Sequence, residues 1–333
     1  MWTLPELPVQ RDIQRIAIVT SGGDAPGMNA AVRAITRTAG SRGIQALGAD
    51  RGYSGLVHGP LRPLSMASVG SILQRGGTIL KTDRCEAFMD PAVRVQTADA
   101  LRAQGVDALI VIGGDGSLTG AHHFYADTGL PVLGLPGTID NDIVGTDDSI
   151  GFDTAVNTAL EAIDRIRDTA HSHDRLFLVE VMGRSSGFIA LSVGIAGGAE
   201  AILLPDEASN AETLLARMAR TRTREKASSL VVVAEGTDPT YTTRLAADLG
   251  AQGHPARACI LGHVQRGGSP SGHDRVLASV LGASAVDHLQ AGYSDIMLGI
   301  REGAIARTAL ERIGRERKTL PQAWLALAST LAS

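Results

Sequence analysis

Ala108-Leu-Ile-Val-Ile-Gly-Gly-Asp-Gly-Ser117 consists of five consecutive apolar residues followed by a glycine-rich turn. An uninterrupted apolar run of this length is typical of a parallel strand that is covered on both faces. A helical pattern over residues 91–104 precedes it. A buried strand that ends in such a turn indicates an α/β fold with ligand sites at the carboxyl ends of its strands.

The same alternation extends over most of the chain. Apolar runs predict strands at 15–20, 44–49, 107–112, 131–135, 175–181, 201–204, 229–234 and 258–261. Helical periodicity predicts helices at 28–39, 91–104, 152–167, 186–196, 211–220 and 274–289. We therefore predict an α/β protein with mainly parallel sheets, and 333 residues are enough for about two domains.

Composition excludes several classes of function. The net charge is −4, from 31 basic and 35 acidic residues, so the chain has no global attraction for nucleic acid or an anionic membrane. Only 3% of the residues are aromatic, which argues against base stacking. Two cysteines form neither a disulfide framework nor a zinc pattern, so we expect a reducing, cytoplasmic compartment. We expect neither a signal peptide nor a transmembrane helix.

Three polar turns follow predicted strands, namely Ser21–Gly27, Gly113–Ser117 and Pro136–Asp142. Glycines let backbone N–H groups approach a phosphate, and the start of a following helix adds partial positive charge. Asp115 is suited to Mg²⁺, which takes few protein carboxylates. Asp140 could accept a hydroxyl proton, so the turns together fit phosphoryl transfer. The alternatives are ligand-free capped turns, a solvated acidic loop and a calcium loop, although the last lacks the EF-hand spacing.

Basic residues accompany the strand ends of the second half. Met182-Gly183-Arg184 follows one predicted strand, and the segment 261–268 follows another. His263 and Arg266 could both donate hydrogen bonds to one phosphate. The alternative is a set of surface arginines with a core histidine, but several cations at strand ends of an acidic protein favour a phosphate site.

These motifs together resemble the bacterial ATP-dependent 6-phosphofructokinases. The matching segments occur in the family's order and are Ser21–Asn29, Arg75-Gly76-Gly77-Thr78, Gly113–Ser117, Pro136–Asp142, Glu180–Arg184 and Leu261–Pro270. The resemblance implies transfer of the ATP γ-phosphate to the 1-hydroxyl of fructose 6-phosphate. It also implies two Rossmann-like three-layer lobes with the active site in the cleft between them.

The resemblance further implies how the chain is divided. Residues 1–14 would be a lead-in, and 15–150, rejoined by about 265–310, would form the ATP-binding lobe. Residues 151–264 would form the fructose 6-phosphate lobe, and 311–333 a C-terminal helical segment.

Site roles carry over from the family residue by residue. Asp140 falls at the position of the catalytic base, beside Thr138, and Asp115 at that of the Mg²⁺ ligand. Arg84 matches a cation that neutralises charge on the transferred phosphoryl group, and Arg184, also expected to be catalytic, matches a contact to the sugar phosphate. The ATP-contacting positions are Gly22, Arg84, Cys85, Gly114, Asp115, Gly116 and Ser117. The substrate positions are Thr138, Ile139, Asp140, Arg175, Met182, Gly183, Arg184, Glu235, Arg257, His263, Val264, Gln265 and Arg266.

Two of these arginines bear on assembly. Arg175 and Arg257 match residues that reach the substrate of a neighbouring subunit, and the family is typically a homotetramer. The resemblance therefore implies that a monomer is inactive.

A regulatory anion site is a further expectation. Arg33 and Arg37 are four residues apart on the helix predicted at 28–39, where like charges repel by about 0.2–0.5 kcal/mol and a bound anion would reverse the sign. Two solvated arginines are the alternative. The resemblance implies ADP or phosphoenolpyruvate as effector, with further contacts from Arg167, Glu200, Arg224 and Lys226. Pro60 and Ala227 stand where relatives have basic residues, so we expect weaker effector binding.

Other functions remain possible at this stage. A pyrophosphate-dependent phosphofructokinase has the same fold, but such enzymes tend to carry Asp at position 116 and Lys at position 137, where this chain has glycine. NAD and lipid kinases share a similar Gly-Gly-Asp-Gly turn but not the other motifs. A sugar-phosphate sensor would not need Asp140 and Arg84, and a dehydrogenase would need the Gly-x-Gly-x-x-Gly spacing.

Overall fold

A computed structural model of the protein describes residues 2–173, 175–205, 210–221 and 229–332. Strands in this part of the chain are β1 (Arg15–Ser21), β2 (Gln45–Gly48), β3 (Arg62–Leu64), β4 (Ala108–Gly113), β5 (Val132–Pro136), β6 (Leu176–Val181), β7 (Ala201–Leu203), β8 (Ser229–Ala234), β9 (Ala256–Ile260), β10 (Ile296–Arg301) and β11 (Ala304–Ala309). The α-helices are α1 (Met28–Ser41), α2 (Gly52–His58), α3 (Pro91–Ala103), α4 (Asp115–Thr128), α5 (Phe152–His173), α6 (Phe188–Ala196), α7 (Ala211–Thr221), α8 (Tyr241–Ala251), α9 (Gly272–Gln290) and α10 (Gln322–Leu331). Short 3₁₀ helices cover Glu86–Met89, Gly262–Gln265 and Leu310–Arg312.

The chain divides into two compact units. The first contains Met1–Ile139, Ile143–Asp153 and Arg266–Lys318, and the second contains Asp140–Asp142, Thr154–Gln265 and Thr319–Ser333.

The first unit is built on a seven-stranded sheet in the order β11-β10-β5-β4-β1-β2-β3. The central strands pair in parallel, and only β3 and β11 at the edges are antiparallel to their neighbours. Every residue of β4 is buried. Helices α1 and α9 pack closely against each other, since a Cβ on Gly282 would lie 2.9 Å from the Cβ of Ala34. This packing fixes the helix that follows the first turn.

The second unit has a four-stranded parallel sheet in the order β7-β8-β6-β9. The apolar side chains of β8 and α8 form its core together with those of β7 and α7. None of the described helices is both long and apolar enough to cross a membrane.

The prediction of an α/β fold with mainly parallel sheets is confirmed. Several predicted boundaries were wrong, and the helix predicted at 152–167, for example, continues to His173 as α5. The helix predicted from 186 begins at Phe188, because Gly187 takes a left-handed φ of 71° as its N-cap. The strand predicted at 258–261 is β9, which begins two residues earlier at Ala256 and includes the exposed Arg257. As β9 is an edge strand, its polar residues can face solvent.

Candidate functional site

Three neighbouring strands of the first sheet end at the same level. Ser21 at the end of β1 pairs with Gly113 at the end of β4, which in turn pairs with Pro136 at the end of β5. The Gly137 N–H donates to the Gly113 carbonyl at 2.9 Å. The three turns that together fit phosphoryl transfer therefore begin side by side.

Glycines allow these turns to approach one another closely. A Cβ on Gly22 would lie 2.9 Å from the Ser117 hydroxyl, and a Cβ on Gly113 would lie 2.7 Å from the Ser117 Cβ. Thr138 lies across Gly114, whose own Cβ would be 3.7 Å from that of Thr138. Any larger residue at Gly22 or Gly113 would push the turns apart.

Helix α4 begins within the second turn, and its start determines which groups face solvent. Gly114 is the N-cap, Asp115 is exposed, and Ser117 is buried with its N–H donating to the Gly114 carbonyl at 3.0 Å. The positive end of the helix therefore lies beside an exposed carboxylate, which it favours.

The segment before Arg84 is attached to the first turn. The Thr82 hydroxyl donates to the Gly22 carbonyl at 2.6 Å, and the Thr20 hydroxyl donates to the Lys81 carbonyl at 2.8 Å. Arg84 is exposed, while Cys85 packs against the core of the first unit. These bonds bring the predicted residues Arg84 and Cys85 to the same end of the sheet as Gly22.

Arg266 also belongs to this end of the first unit. Its Nη1 lies 3.4 Å from the Asp24 carbonyl oxygen and would be 2.6 Å from a Cβ on Gly23. The positive charge of Arg266 thus lies against the backbone of the first turn, at Asp24. It offsets the negative charge of the Asp24 carboxylate, which by itself would repel an anion.

The second unit gathers a separate set of predicted residues. Val181 at the end of β6 pairs with Ala234 at the end of β8, and the Glu235 N–H donates to the Val181 carbonyl at 2.8 Å. The chain then turns through Gly183 and Arg184, with φ values of 134° and 51°. In this conformation the Arg184 N–H donates to Glu235 Oε2 at 3.2 Å, so Met182–Arg184 and Glu235 are brought together.

A second carboxyl group, that of Glu180, lies behind Glu235. Burial raises the pKa of Glu180, a hydrogen bond from Thr242 opposes that rise, and repulsion from Glu235 adds to it. The Leu261 N–H donates to the Glu180 carbonyl at 3.0 Å, so the segment containing His263 starts at this same strand end.

Asp140 is buried, and within the second unit its carbonyl accepts a hydrogen bond from the Ser186 hydroxyl at 2.8 Å. Thr138 and Ile139, which precede it, are buried in the first unit. His263 and Val264 are exposed on a 3₁₀ helix, whereas Gln265 is fully buried.

Arg175 and Arg257 lie apart from the residues gathered at the carboxyl ends of β6 and β8. Arg257 pairs with Phe177, near the amino end of β6, and Arg175 immediately precedes that strand. Seven residues separate Arg175 from Met182, which is roughly 20 Å along an extended strand. Both arginines are exposed.

A model of the phosphofructokinase family matches residues 15–289, which is most of the chain. The chain belongs to the phosphofructokinase family. The ATP-dependent 6-phosphofructokinase 1 of Thermus thermophilus is 50% identical over 321 residues, covering 96% of this chain and 100% of that protein. The ATP-dependent 6-phosphofructokinase of Listeria welshimeri is 49% identical, with the same coverage of both chains.

Among solved structures, the phosphofructokinase from Saccharomyces cerevisiae superimposes with a TM-score of 0.84 at 36% identity. The match covers 96% of this chain and 48% of the yeast chain, so this phosphofructokinase chain spans about half the length of the yeast one.

Gly116 and Gly137, the two positions used above to weigh ATP against pyrophosphate as donor, differ in how closely their surroundings are packed. A Cβ on Gly116 would meet nothing within 4 Å. A Cβ on Gly137 would lie 3.0 Å from Ile112 and 3.1 Å from Met28. Position 116 therefore opens onto space that a ligand can fill, while a side chain at position 137 would require Ile112 or Met28 to shift.

The residues expected to form an effector site are distributed over both units. Arg33 is half-buried and Arg37 is exposed on α1 of the first unit. Arg167 of the second unit donates to the carbonyls of Gly197 and Gly198, and buried Glu200 accepts the Leu230 N–H at 2.6 Å. Arg224 and Lys226 lie outside the described residues.

No group of three or more His, Cys, Asp or Glu side chains that could hold a metal ion occurs in the part of the chain that the structure describes. A single exposed carboxylate such as Asp115 is nevertheless what Mg²⁺ needs when nucleotide phosphates and water complete its coordination. The residues present therefore fit a magnesium ion that arrives with a nucleotide.

Sequence reasoning did not identify Thr82 or Asp274. Thr82 bonds to Gly22, 60 residues away, and Asp274 accepts a hydrogen bond from Gly151, 123 residues away. No local pattern marks such long-range partners, although Ser271-x-x-Asp274 is a helix N-terminal signature that could have indicated a capped α9.

Proposed function

We propose that the chain is an ATP-dependent 6-phosphofructokinase. It transfers the γ-phosphate of ATP to the 1-hydroxyl of D-fructose 6-phosphate, giving fructose 1,6-bisphosphate and ADP, the committed step of glycolysis. The observation that carries the phosphoryl-transfer assignment is the convergence of three turns at paired Ser21, Gly113 and Pro136. The choice of substrates rests on relatives of that name at about 50% identity over nearly the full chain.

On the nucleotide side, the turns supply close backbone contacts. Gly22, Gly114, Gly116 and Ser117 bind the ATP phosphates through N–H groups and the start of α4, with Cys85 nearby. Arg84 is exposed at this end of the sheet and neutralises charge on the transferred phosphoryl group. Asp115 holds Mg²⁺, which when bound neutralises charge on the phosphates.

On the sugar side, Asp140 accepts the proton of the 1-hydroxyl while the sugar oxygen forms its bond to the γ-phosphorus and ADP leaves. Thr138 and Ile139 position that turn, and Arg184 donates to the phosphoryl oxygens. Sugar-phosphate binding comes from Met182, Gly183, Glu235, His263, Val264, Gln265 and Arg266.

Arg175 and Arg257 complete the sugar-phosphate site of a neighbouring subunit. Their exposure and their position near the amino end of β6 support this role, because within one chain they are remote from Met182. The active form is therefore a homo-oligomer, and a homotetramer by resemblance to the family. We place the enzyme in the cytoplasm with the rest of glycolysis.

The surroundings of Gly116 and Gly137 favour ATP over pyrophosphate, the alternative phosphoryl donor. The open space at Gly116 can accept the nucleotide beyond its β-phosphate, and a pyrophosphate-binding lysine in place of Gly137 would require Ile112 or Met28 to shift. Gly116→Asp should lower kcat/KM for ATP at least tenfold while leaving KM for fructose 6-phosphate within about threefold. Gly250→Asp, which adds the same side chain to α8 at a position where a Cβ would meet nothing within 4 Å, is the control. Unchanged ATP kinetics in Gly116→Asp would remove this argument.

We also propose that a bound anion regulates the enzyme. Arg33 and Arg37 bind ADP or phosphoenolpyruvate, assisted by Arg167, Glu200, Arg224 and Lys226. Support comes from the buried Arg33 Nε, which makes no hydrogen bond to any residue that the structure describes. We expect sigmoidal fructose 6-phosphate saturation, inhibition by phosphoenolpyruvate and activation by ADP, with Arg33→Ala/Arg37→Ala abolishing both effects. Identical curves with and without millimolar effector would refute the regulatory site alone.

A further inference from the structure

Asp274 lies in the interior of the first unit and is not among the residues proposed to bind the nucleotide, the sugar phosphate, Mg²⁺ or an effector. It is the third residue of α9 and is fully buried. The Ser271 hydroxyl caps the helix by accepting the Asp274 N–H at 3.2 Å. The helix N-terminus favours a negative charge at this position, which offsets part of the cost of burying it.

The Asp274 side chain reaches a distant part of the chain. Its Oδ1 accepts the Gly151 N–H at 2.9 Å. Gly151 has a φ of 107°, and a Cβ there would lie 2.7 Å from that of Ala25, so the backbone at this point is confined on more than one side. A carboxylate that accepts a buried N–H makes a charge-assisted hydrogen bond, which is among the stronger ones in proteins.

Gly151 follows directly on the residues that run beside the third turn. Gly137 and Ile150 form a parallel bridge, in which the Thr138 N–H donates to the Ile150 carbonyl at 3.1 Å and the Ile150 N–H donates to the Pro136 carbonyl at 2.8 Å. The Ser149 hydroxyl donates to the Thr138 carbonyl at 2.7 Å. Both backbone polar groups of Thr138 are thus bonded to residues 149–150.

The first turn packs against the same point. A Cβ on Gly27 would lie 2.7 Å from Ile150 Cγ2 and 3.6 Å from the Asp274 Cβ. A displacement of Ile150 or Asp274 would therefore change the packing around Gly27, the N-cap residue of α1.

We propose that Asp274 is a positioning residue for phosphoryl transfer. By fixing Gly151 it holds Ile150, and through Ile150 it holds Thr138, which precedes the base Asp140 by two residues. The proposal rests on the proposed function for the reaction that it serves, but the contact itself can be tested independently. A displacement of about 1 Å in a reacting group costs on the order of a hundredfold in rate.

The test compares Asp274→Ala with Asp274→Asn in the full-length protein. The asparagine Oδ1 can still accept the Gly151 N–H, whereas alanine cannot. We expect Asp274→Ala to lower kcat by roughly tenfold to a hundredfold with both KM values within about threefold, and Asp274→Asn to restore kcat to within about fivefold of wild type. Val286→Ala, a buried truncation three turns further along α9, is the control that lowers Tm without lowering kcat.

Two kinetic outcomes would overturn the proposal. If Asp274→Ala lowers Tm but keeps the wild-type kcat, Asp274 has only a structural role. If Asp274→Asn is as slow as Asp274→Ala, the charge matters rather than the hydrogen bond to Gly151. Should the alanine variant fail to fold, Asp274→Glu replaces it, because an extra methylene moves the carboxylate and should also lower kcat about tenfold.

Hydrogen exchange separates this proposal from the assignment of the reaction. Amide protection of peptides covering 136–151 should fall in Asp274→Ala and remain at the wild-type level in Asp274→Asn and Val286→Ala. That result can be obtained even if the wild-type protein does not phosphorylate fructose 6-phosphate, in which case only the proposed function fails. Unchanged protection in Asp274→Ala would refute the positioning role whatever the reaction is.

Discussion

Gly137 and Asp140 lie in the same turn and meet different requirements. Gly137 allows β5 to end against Ile112 and Met28, where a Cβ would be only 3.0–3.1 Å away. Asp140 supplies a carboxyl group, whose oxygens can accept a proton from a hydroxyl. The glycine determines where the turn lies, and the carboxylate determines what chemistry the turn can perform.

Asp140→Ser should lower kcat by roughly 10²–10⁴-fold, because a serine hydroxyl cannot serve as a general base near pH 7. KM for fructose 6-phosphate should change far less, since the sugar phosphate is bound by other residues. Steady-state kinetics of the purified variant will measure both. The neighbouring Asp142→Ser provides the matched control for loss of a carboxylate from this turn, and retention of most of kcat in Asp140→Ser would show that another group takes the proton.

Individual residues were predictable from sequence where their partners are near in the chain or belong to a contiguous motif. The three turns and the segment 182–184 could be identified in this way. The partners of Thr82, Asn29 and Asp274 could not be predicted, because each side chain bonds to backbone groups far along the chain. Asn29, for example, accepts the Ile79 N–H at 2.7 Å and donates to the Arg75 carbonyl at 3.0 Å.

Strands β1, β4 and β5 at the centre of the first sheet were predictable from their apolar runs. Strand β10, which pairs in parallel with β5, was not predicted, although four of its six residues are buried. Helix α2 was not predicted, since its seven residues include Gly52 and Gly55 and give little helical signal. Helix α4 begins at Asp115, within the turn itself, so the glycines conceal its start. Strand β11 lies at the sheet edge, and its consecutive polar residues Arg307 and Thr308 interrupt the apolar pattern.

A second contact, between His273 and Asp148, links the start of α9 to the segment 143–153, and the His273 imidazole in it titrates. His273 Nε2 lies 3.2 Å from Asp148 Oδ2, and the hydrogen bond that His273 donates to this carboxylate is the main cause that raises the pKa of His273. Burial opposes this rise, while the charges of Asp148, Asp153 and Asp274 add to it. The Trp2 ring packs edge-on against the imidazole at 5.5 Å.

This contact predicts a pH-dependent difference in stability. Because the folded-state pKa is raised, the stabilisation is complete below the unfolded value of about 6.5 and is lost as the pH rises through the folded pKa. The Tm of wild type minus that of His273→Gln should therefore be larger at pH 6 than at pH 8.5. Asp148→Asn should flatten the dependence, and a difference that does not vary over this range would contradict the ion pair.

The role that we propose for the arginines near the amino end of β6 requires a second subunit. Mixing Arg257→Ser subunits with Asp140→Ser subunits should create some sites that are intact in both respects. Exchange under mild dissociating conditions should then restore part of the activity that each variant lacks alone. Mixed Arg257→Ser and Arg175→Ser subunits serve as the control, because both changes affect the same contributed surface. Hybrid oligomers that form and remain inactive would show that these arginines do not act across a subunit boundary.

The identity of the reaction is tested most directly by giving the purified wild-type protein fructose 6-phosphate and Mg²⁺ with either ATP or pyrophosphate, and quantifying the products. We predict fructose 1,6-bisphosphate and ADP in equal amounts with ATP, and a rate at least a hundredfold lower with pyrophosphate. NAD⁺ supplied as acceptor in place of the sugar phosphate should give no phosphorylated product. Faster reaction with pyrophosphate would reassign the phosphoryl donor, and no fructose 1,6-bisphosphate with either donor would contradict the proposed function.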